Sequence, residues 1–357
     1  MPMEPLGNAR LSPAISTDSG PGLRRADLAM SEVHQCRCGD WRRNMARYRG
    51  NLPQLASTAV LISDSGMETD LIFHEGFDLP LFASFTLLDD ETGTDALSNY
   101  YRRHFQVAQD AHVGFIFEAV TWRASIEWAR QLGLDEAAVV DVNRRAIDLV
   151  VQLRAEAGDA SGPLVISAPI GPRDDAYNPA RLMSADEAEQ YHAAQVVTLA
   201  GTEVDLLTAM TLTHTDEAIG IVRASQSAEI PIVISFTVET DGALPDGSAL
   251  GDAIVAVDGA TDSYPAYYGI NCAHPTHFVG TLDVNEDWVT RIKMIRANAS
   301  RLSHAELDEA EALDDGDPDE LGRQYAELRK RFPQINVLGG CCGTDVRHMR
   351  SIALACI

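Results

Sequence analysis

The chain has 357 residues, 45% of them apolar, which is enough for one large α/β domain or two smaller ones. A formal charge of −25, with lysine only at Lys293 and Lys330, repels nucleic acid and anionic lipid, so neither is expected as a partner. Six scattered cysteines make no disulfide framework, no apolar run reaches the ~18 residues of a membrane span, and the N-terminus carries no secretory signal. A cytoplasmic protein is expected.

Residues 1–50 read as an N-terminal extension without fixed structure, because Gly, Pro, Ser and Arg dominate it and no periodic apolar pattern survives. His34, Cys36 and Cys38 lie there, but a C-x-C pair without a second cluster is poor evidence for a metal site. From residue 59 onward short apolar runs recur. They fall at 59–66, 114–122, 163–172, 204–212, 231–239, 266–275, a weaker one at 292–300, and 335–342. Runs of this kind suit strands buried on both faces of a parallel sheet. Amphipathic helices are predicted over 95–111, 135–157 and 184–202, with capping boxes at Ser184–Glu187 and Ser303–Glu306. Eight strands alternating with helices give the expected fold class: α/β, a single-domain (β/α)8 TIM barrel over 51–357. The rival doubly wound sheet lacks a G-x-G-x-x-G or P-loop signature after any strand.

In such a barrel the chemistry lies at the C-terminal strand ends. There the chain places Asp64, Ser65, Gly66, Met67 and Glu68 after strand 1, Glu118 with Thr121 in strand 2, Asn271 and Cys272 in strand 6, and Cys341 and Cys342 in strand 8. Strands 6 and 8 are separated by one strand, so three sulfurs are expected over one rim. The glycines around Cys341–Cys342 ("VLGGCCGTD") supply backbone angles that turn both sulfurs to one side. Three thiolates with an open fourth position describe a catalytic Zn2+ site, whereas a lone buried cysteine more often acts as a small hydrophobe. A zinc with three thiolates has net charge −1, a poor activator of water but suited to lowering a thiol's pKa from ~8.5. Transfer of a group to a thiol is therefore favoured over hydrolysis.

Other features receive plainer readings. His274 and His277 ("CAHPTH") contact substrate or solvent, since three cysteines already fill the protein's share of a catalytic zinc. The segment 312–322 is a solvated acidic turn rather than a calcium loop, and 238–253 is a long loop that can shape a donor pocket. Trp122, Trp128, Tyr264, Tyr267 and Tyr268 near the rim either pack or cage a cation, packing being the commoner use.

The segments "DSGMETDL", "GINCAHP" and "INVLGGCCGTD" resemble the signature segments of the homocysteine S-methyltransferase family, over about 57–357. That family comprises zinc-dependent (β/α)8 barrels that methylate homocysteine to methionine. The resemblance implies that Cys272, Cys341 and Cys342 are the zinc ligands. It also implies that Asp64 faces the substrate amino group, that the backbone of Ser65–Met67 faces its carboxylate, and that Glu118 matches a family carboxylate. The chain departs from the family in its opening motif and at strand 4, where Met210 stands in place of a glutamate that helps to hold the amino group. A cytoplasmic zinc S-methyltransferase of the methionine-forming type is expected, with a thiol acceptor and a methyl donor as partners. With no room for a cobalamin or folate domain, the donor is expected to be a small onium compound of the S-methylmethionine or betaine type. The alternatives are another thiol or selenol acceptor on the same barrel, or a non-catalytic zinc-binding barrel.

Overall fold

The computed structural model describes residues 46–357, apart from 57–58, 159, 161, 178–181 and 311. The extension's His34, Cys36 and Cys38 lie outside the described residues.

Eight parallel strands close into a barrel in sequence order. They are β1 (Leu61–Ile62), β2 (Gly114–Glu118), β3 (Leu164–Ile170), β4 (Leu206–Leu212), β5 (Ile232–Phe236), β6 (Tyr267–Asn271), β7 (Ile292–Ala297) and β8 (Val337–Gly340). β8 pairs with β1 to complete the ring, with Leu61 opposite Val337. Each strand lies inside one of the eight apolar runs. The expected barrel is the observed one.

The helices are α1 (Met67–Phe73), α2 (Glu91–Asp110), α3 (Ile126–Gln131), α4 (Glu136–Glu156), α5 (Ala185–Ala200), α6 (Thr215–Ser227), α7 (Leu250–Ala260), α8 (Pro275–Phe278), α9 (His304–Asp308), α10 (Pro318–Arg331) and α11 (Val346–Cys356). Both expected capping boxes form, at Ser184–Glu187 and Ser303–Glu306. Asp90, Asp135, Asp317 and Asp345 cap α2, α4, α10 and α11 by accepting from backbone amides of the first turn. An acid at a helix N-terminus satisfies free amides and complements the helix dipole, so part of the large negative charge is structural.

The barrel interior is built in layers, because alternate residues of a strand face the same side. The lowest layer is apolar, with one residue from each strand: Leu61, Ile116, Val165, Leu206, Val233, Tyr267, Met294 and Val337, closed below by Leu52. Two residues further along each strand the sequence reads Ser63, Glu118, Ser167, Thr208, Ser235, Gly269, Arg296 and Gly339. This second layer holds polar side chains and two glycines, with one carboxylate and one guanidinium. Another two residues along come Met210, Asn271 and Cys341, which open onto the cavity above. The floor is dry and the active end polar.

Below the floor, the segment before β1 is tied to the start of β4. Tyr48 N donates to Asp205 (2.8 Å), and the Arg49 guanidinium donates to the carbonyls of Ala200, Thr202 and Val204. Asp205 is fully buried and also accepts from Ile166 N and from Arg154 (both 2.9 Å). Removing one partner of such a pair strands the other charge in the interior. Asp205→Ala should therefore lower the urea midpoint by an amount equivalent to about 3–5 kcal/mol.

Candidate metal centre

Cys272, Cys341 and Cys342 meet at the bottom of a cavity of about 430 Å³ at the C-terminal mouth of the barrel. The sulfurs lie within 4.8 Å of one another, and among the described residues this is the cluster of three side chains suited to a metal ion. Cys272 Sγ is 2.6 Å from Cys341 Sγ and 3.8 Å from Cys342 Sγ, with all three cysteines free. Ligands of a tetrahedral ion bound at ~2.3 Å stand about 3.8 Å apart. One edge of the triangle already has that length, and the Cys272–Cys341 edge has to open to receive an ion. The donor set is soft, anionic once deprotonated, and among the described residues has three members, so it fits a thiophilic ion with an exchangeable position.

The backbone brings the sulfurs together by two devices. Cys272, just past β6, adopts a left-handed conformation with φ of 54°. An L-residue holds such an angle only when its surroundings enforce it, and here the Cys272 carbonyl accepts from His304 Nε2 (2.8 Å) and Asn298 Nδ2 (3.0 Å). On the other side, the glycines before the cysteine pair serve a purpose other than the one expected. Gly339 and Gly340 are not in the left-handed region; only Gly343 is, with φ of 78°. A Cβ at Gly339 would strike Ser63 Oγ and the Arg296 side chain, and one at Gly340 would strike Thr344 Oγ1. These two positions need space rather than backbone freedom.

The charges are uneven. Hydrogen bonds from Cys272 and Cys342, helped by the nearby Arg296 guanidinium, hold the Cys341 thiol well below its ordinary value. Cys272 is pushed up chiefly by its hydrogen bond with Cys341, and Cys342 by its hydrogen bonds with Cys272 and Cys341, with burial adding to both. Arg296 is itself buried and donates to Asp64 Oδ1 (2.7 Å), Ser63 Oγ and the Ser65 carbonyl. Burial pushes Glu118 up to about 7 against the opposing pull of Arg296, and its Oε2 is buried without a hydrogen-bond partner.

The other site residues expected from sequence divide. Asp64, Ser65, Gly66, Met67, Glu118 and Asn271 line the cavity. Asp64 is engaged by Arg296, and the amides of Ser65, Gly66 and Met67 already donate to Tyr100 Oη, Thr344 and the Ser65 carbonyl. Asn271 spends its carbonyl on Thr211 N and Ser235 Oγ and points Nδ2 toward Cys341 Sγ (4.0 Å). Thr121 does not line the cavity; it is fully buried and donates to the Pro169 carbonyl (2.7 Å), which joins the ends of β2 and β3.

His274 faces a second, smaller hollow, where burial pushes its imidazole down to about 4, and His277 bonds the Arg301 carbonyl. Neither joins the sulfurs. Loop 238–253 contributes nothing to the cavity wall; Asp175–Tyr177 after β3 and Ser300, Leu307, Asp308 and Leu313 after β7 are among the residues that do. Asp317, in the acidic turn, caps α10. Tyr267 sits in the apolar floor and the Tyr268 hydroxyl donates to Asp258, so of the five rim aromatics only Trp122 reaches the cavity.

Two contributors escape a reading by sequence. Tyr177 Oη donates to Cys342 Sγ (3.4 Å), and its ring stacks on His304 at 4.1 Å and 8°. The His304 ring nitrogens face the Cys272 carbonyl and the Glu239 carboxylate (3.0 Å). No spacing rule links these loop residues to the cysteines.

The fold and site thus define a closed parallel barrel whose C-terminal rim gathers three thiols beside an open cavity. A sequence profile of the homocysteine S-methyltransferase family matches residues 61–356. The chain belongs to the homocysteine S-methyltransferase family, and so to the methyltransferases. It is 26% identical over 324 residues to the methionine synthase of Mycobacterium tuberculosis, an alignment covering 86% of this chain and 25% of that protein. The methionine synthase of Mycobacterium leprae is 32% identical over 129 residues, 35% of this chain and 10% of that one. The chain thus spans a quarter or less of these relatives. The homocysteine methyltransferase MmuM from Escherichia coli superposes with TM-scores of 0.65 in its metallated form and 0.66 in its oxidised form. The identities are 18% and 19%, each match covering 83% of this chain, with 96% and 95% of that one. At such identities the likeness speaks for the fold.

Groups that orient a metal's ligands commonly contribute a factor of about 10–100 in affinity. His304→Ala should weaken binding of a thiophilic metal by roughly that factor, read by competition with a chromogenic chelator.

Proposed function

We propose that this protein is a zinc-dependent S-methyltransferase that moves a methyl group from a small onium donor to the thiol of homocysteine, giving methionine. The observation that carries this reading is the convergence of Cys272, Cys341 and Cys342 at the bottom of the cavity, with one side of the triangle open to it. Zinc held there would lower the pKa of an incoming thiol while leaving its sulfur nucleophilic. In the transfer, the donor's carbon–heteroatom bond breaks with both electrons going to the sulfur or nitrogen of the onium. The methyl carbon bonds to the acceptor sulfur, and the thiol proton leaves to solvent. The chain's own residues bind and orient. Tyr177 and Asn271 direct hydrogen-bond donors at Cys342 and Cys341 and so hold the sulfurs in place.

Among the acids near the sulfurs, Asp64 is bonded to Arg296, whereas Glu118 has a free oxygen. This supports Glu118 as the partner of the acceptor ammonium, in compensation for Met210, which lines the cavity but offers no strong acceptor. The acidic lining residues Glu68, Asp175, Asp308 and Asp314 favour a cationic donor.

Cys341→Ser should lose both bound zinc and methyl transfer; full turnover in that variant would overturn the reading. Glu118 binds an ammonium only when ionised. Because its folded value is raised to about 7, the KM for homocysteine should fall as pH rises through 7. In Glu118→Gln that KM should stay at the low-pH level across the range and lack the pH step.

A further inference from the structure

Three arginines among the described residues are buried: Arg123, Arg154 and Arg296. Arg154 and Arg296 each donate to a carboxylate, Asp205 and Asp64. Arg123 donates to none. It is 7% exposed and lines the same cavity as the three cysteines, yet its Nε and Nη1 are buried without a hydrogen-bond partner. A charged group left in that condition is costly unless something completes it.

The geometry identifies what is incomplete. The Arg123 guanidinium carbon lies 4.1 Å from the Trp122 ring centroid and 3.7 Å from that of Trp128. Both indoles are fixed, Trp122 Nε1 to the Met210 carbonyl and Trp128 Nε1 to the Pro172 carbonyl (each 3.3 Å). Cation–π contact covers the faces of the guanidinium. What remains is its edge, where all five N–H donors lie in one plane and match two oxygens of an oxyanion. The carboxylates of Glu68, Asp174 and Asp175 are close enough to support its charge, but the structure gives none of them a hydrogen bond to it. These acids also select the ligand: a dianionic phosphate would meet strong repulsion, whereas a single carboxylate on a molecule that also carries a positive centre would not.

We infer that Arg123, clamped between Trp122 and Trp128, is the subsite that takes a carboxylate of the methyl donor. This deepens the proposed function and rests on it for the identity of the ligand as donor, though not for the binding itself.

The test uses two matched pairs of probes, S-methylmethionine with its methyl ester and glycine betaine with its methyl ester. Each pair keeps the onium and removes the carboxylate charge. Tryptophan emission is followed during titration of the whole chain, both as purified and as Cys341→Ser, so that binding is read apart from metal and turnover. At least one acid should bind tenfold or more tightly than its ester in both proteins. Arg123→Gln should bring that ratio close to one, and Arg123→Lys, which keeps the charge but not the stacked fork, should give a value between. Equal binding of acid and ester by the unsubstituted protein overturns the subsite, as does an unchanged ratio in Arg123→Gln or no binding by either acid. If the ratio holds while no methyl is transferred by the zinc-loaded protein, the subsite stands and the methyltransferase reading fails.

Discussion

The burial of one guanidinium inside the barrel conditions nearly everything around it. Arg296 occupies the polar interior layer directly above an apolar floor. From there it binds Asp64, lowers the Cys341 thiol and opposes the effect of burial on Glu118. Such a charge survives in the interior because it has a carboxylate, a hydroxyl and a carbonyl as partners. It also needs room, and Gly339 on the adjacent strand supplies it by having no Cβ. The glycine before the cysteine motif and the arginine on β7 are two halves of one device.

Above that layer the barrel and its loops divide the labour. Strand ends deliver the sulfurs and Glu118, which a rigid sheet positions well. Loops after β3 and β7 deliver Tyr177 and His304, which touch each other and brace two of the three cysteines from outside. The cysteines alone define the ligand atoms, while the loop pair fixes where two of them point. The acidic wall of the cavity and the arginine clamp at its side set the electrical character of whatever enters.

Much of this was legible in the sequence, for definable reasons. Strands of a parallel barrel are buried on both faces, so all eight announce themselves as apolar runs. Helix starts are visible where a serine and a glutamate cap each other. The cysteine motif stands out because two adjacent cysteines among glycines have few structural uses. What stayed hidden has a common cause. Arg296 made β7 look like the weakest strand, when its charge marked the interior of the site; a residue that violates the local pattern was the functional signal. Strand parity would also have separated Glu118, which faces inward with Ile116, from Thr121, which falls on the opposite phase. Tyr177 and His304 left no trace, because contacts between distant loops follow no period.

The sulfurs come from points 69 and 70 residues apart along the chain. An ion gripping them would pin β6 to the turn after β8 and enclose all of β7, α9 and α10 in a single loop. Cross-links of that span restrict the unfolded chain strongly, and occupancy adds to folding free energy by mass action. The metal would thus act as a removable rivet. Starving the protein of it would loosen the last third of the barrel as well as silence the chemistry, making the abundance of intact protein a gauge of the metal supply around it.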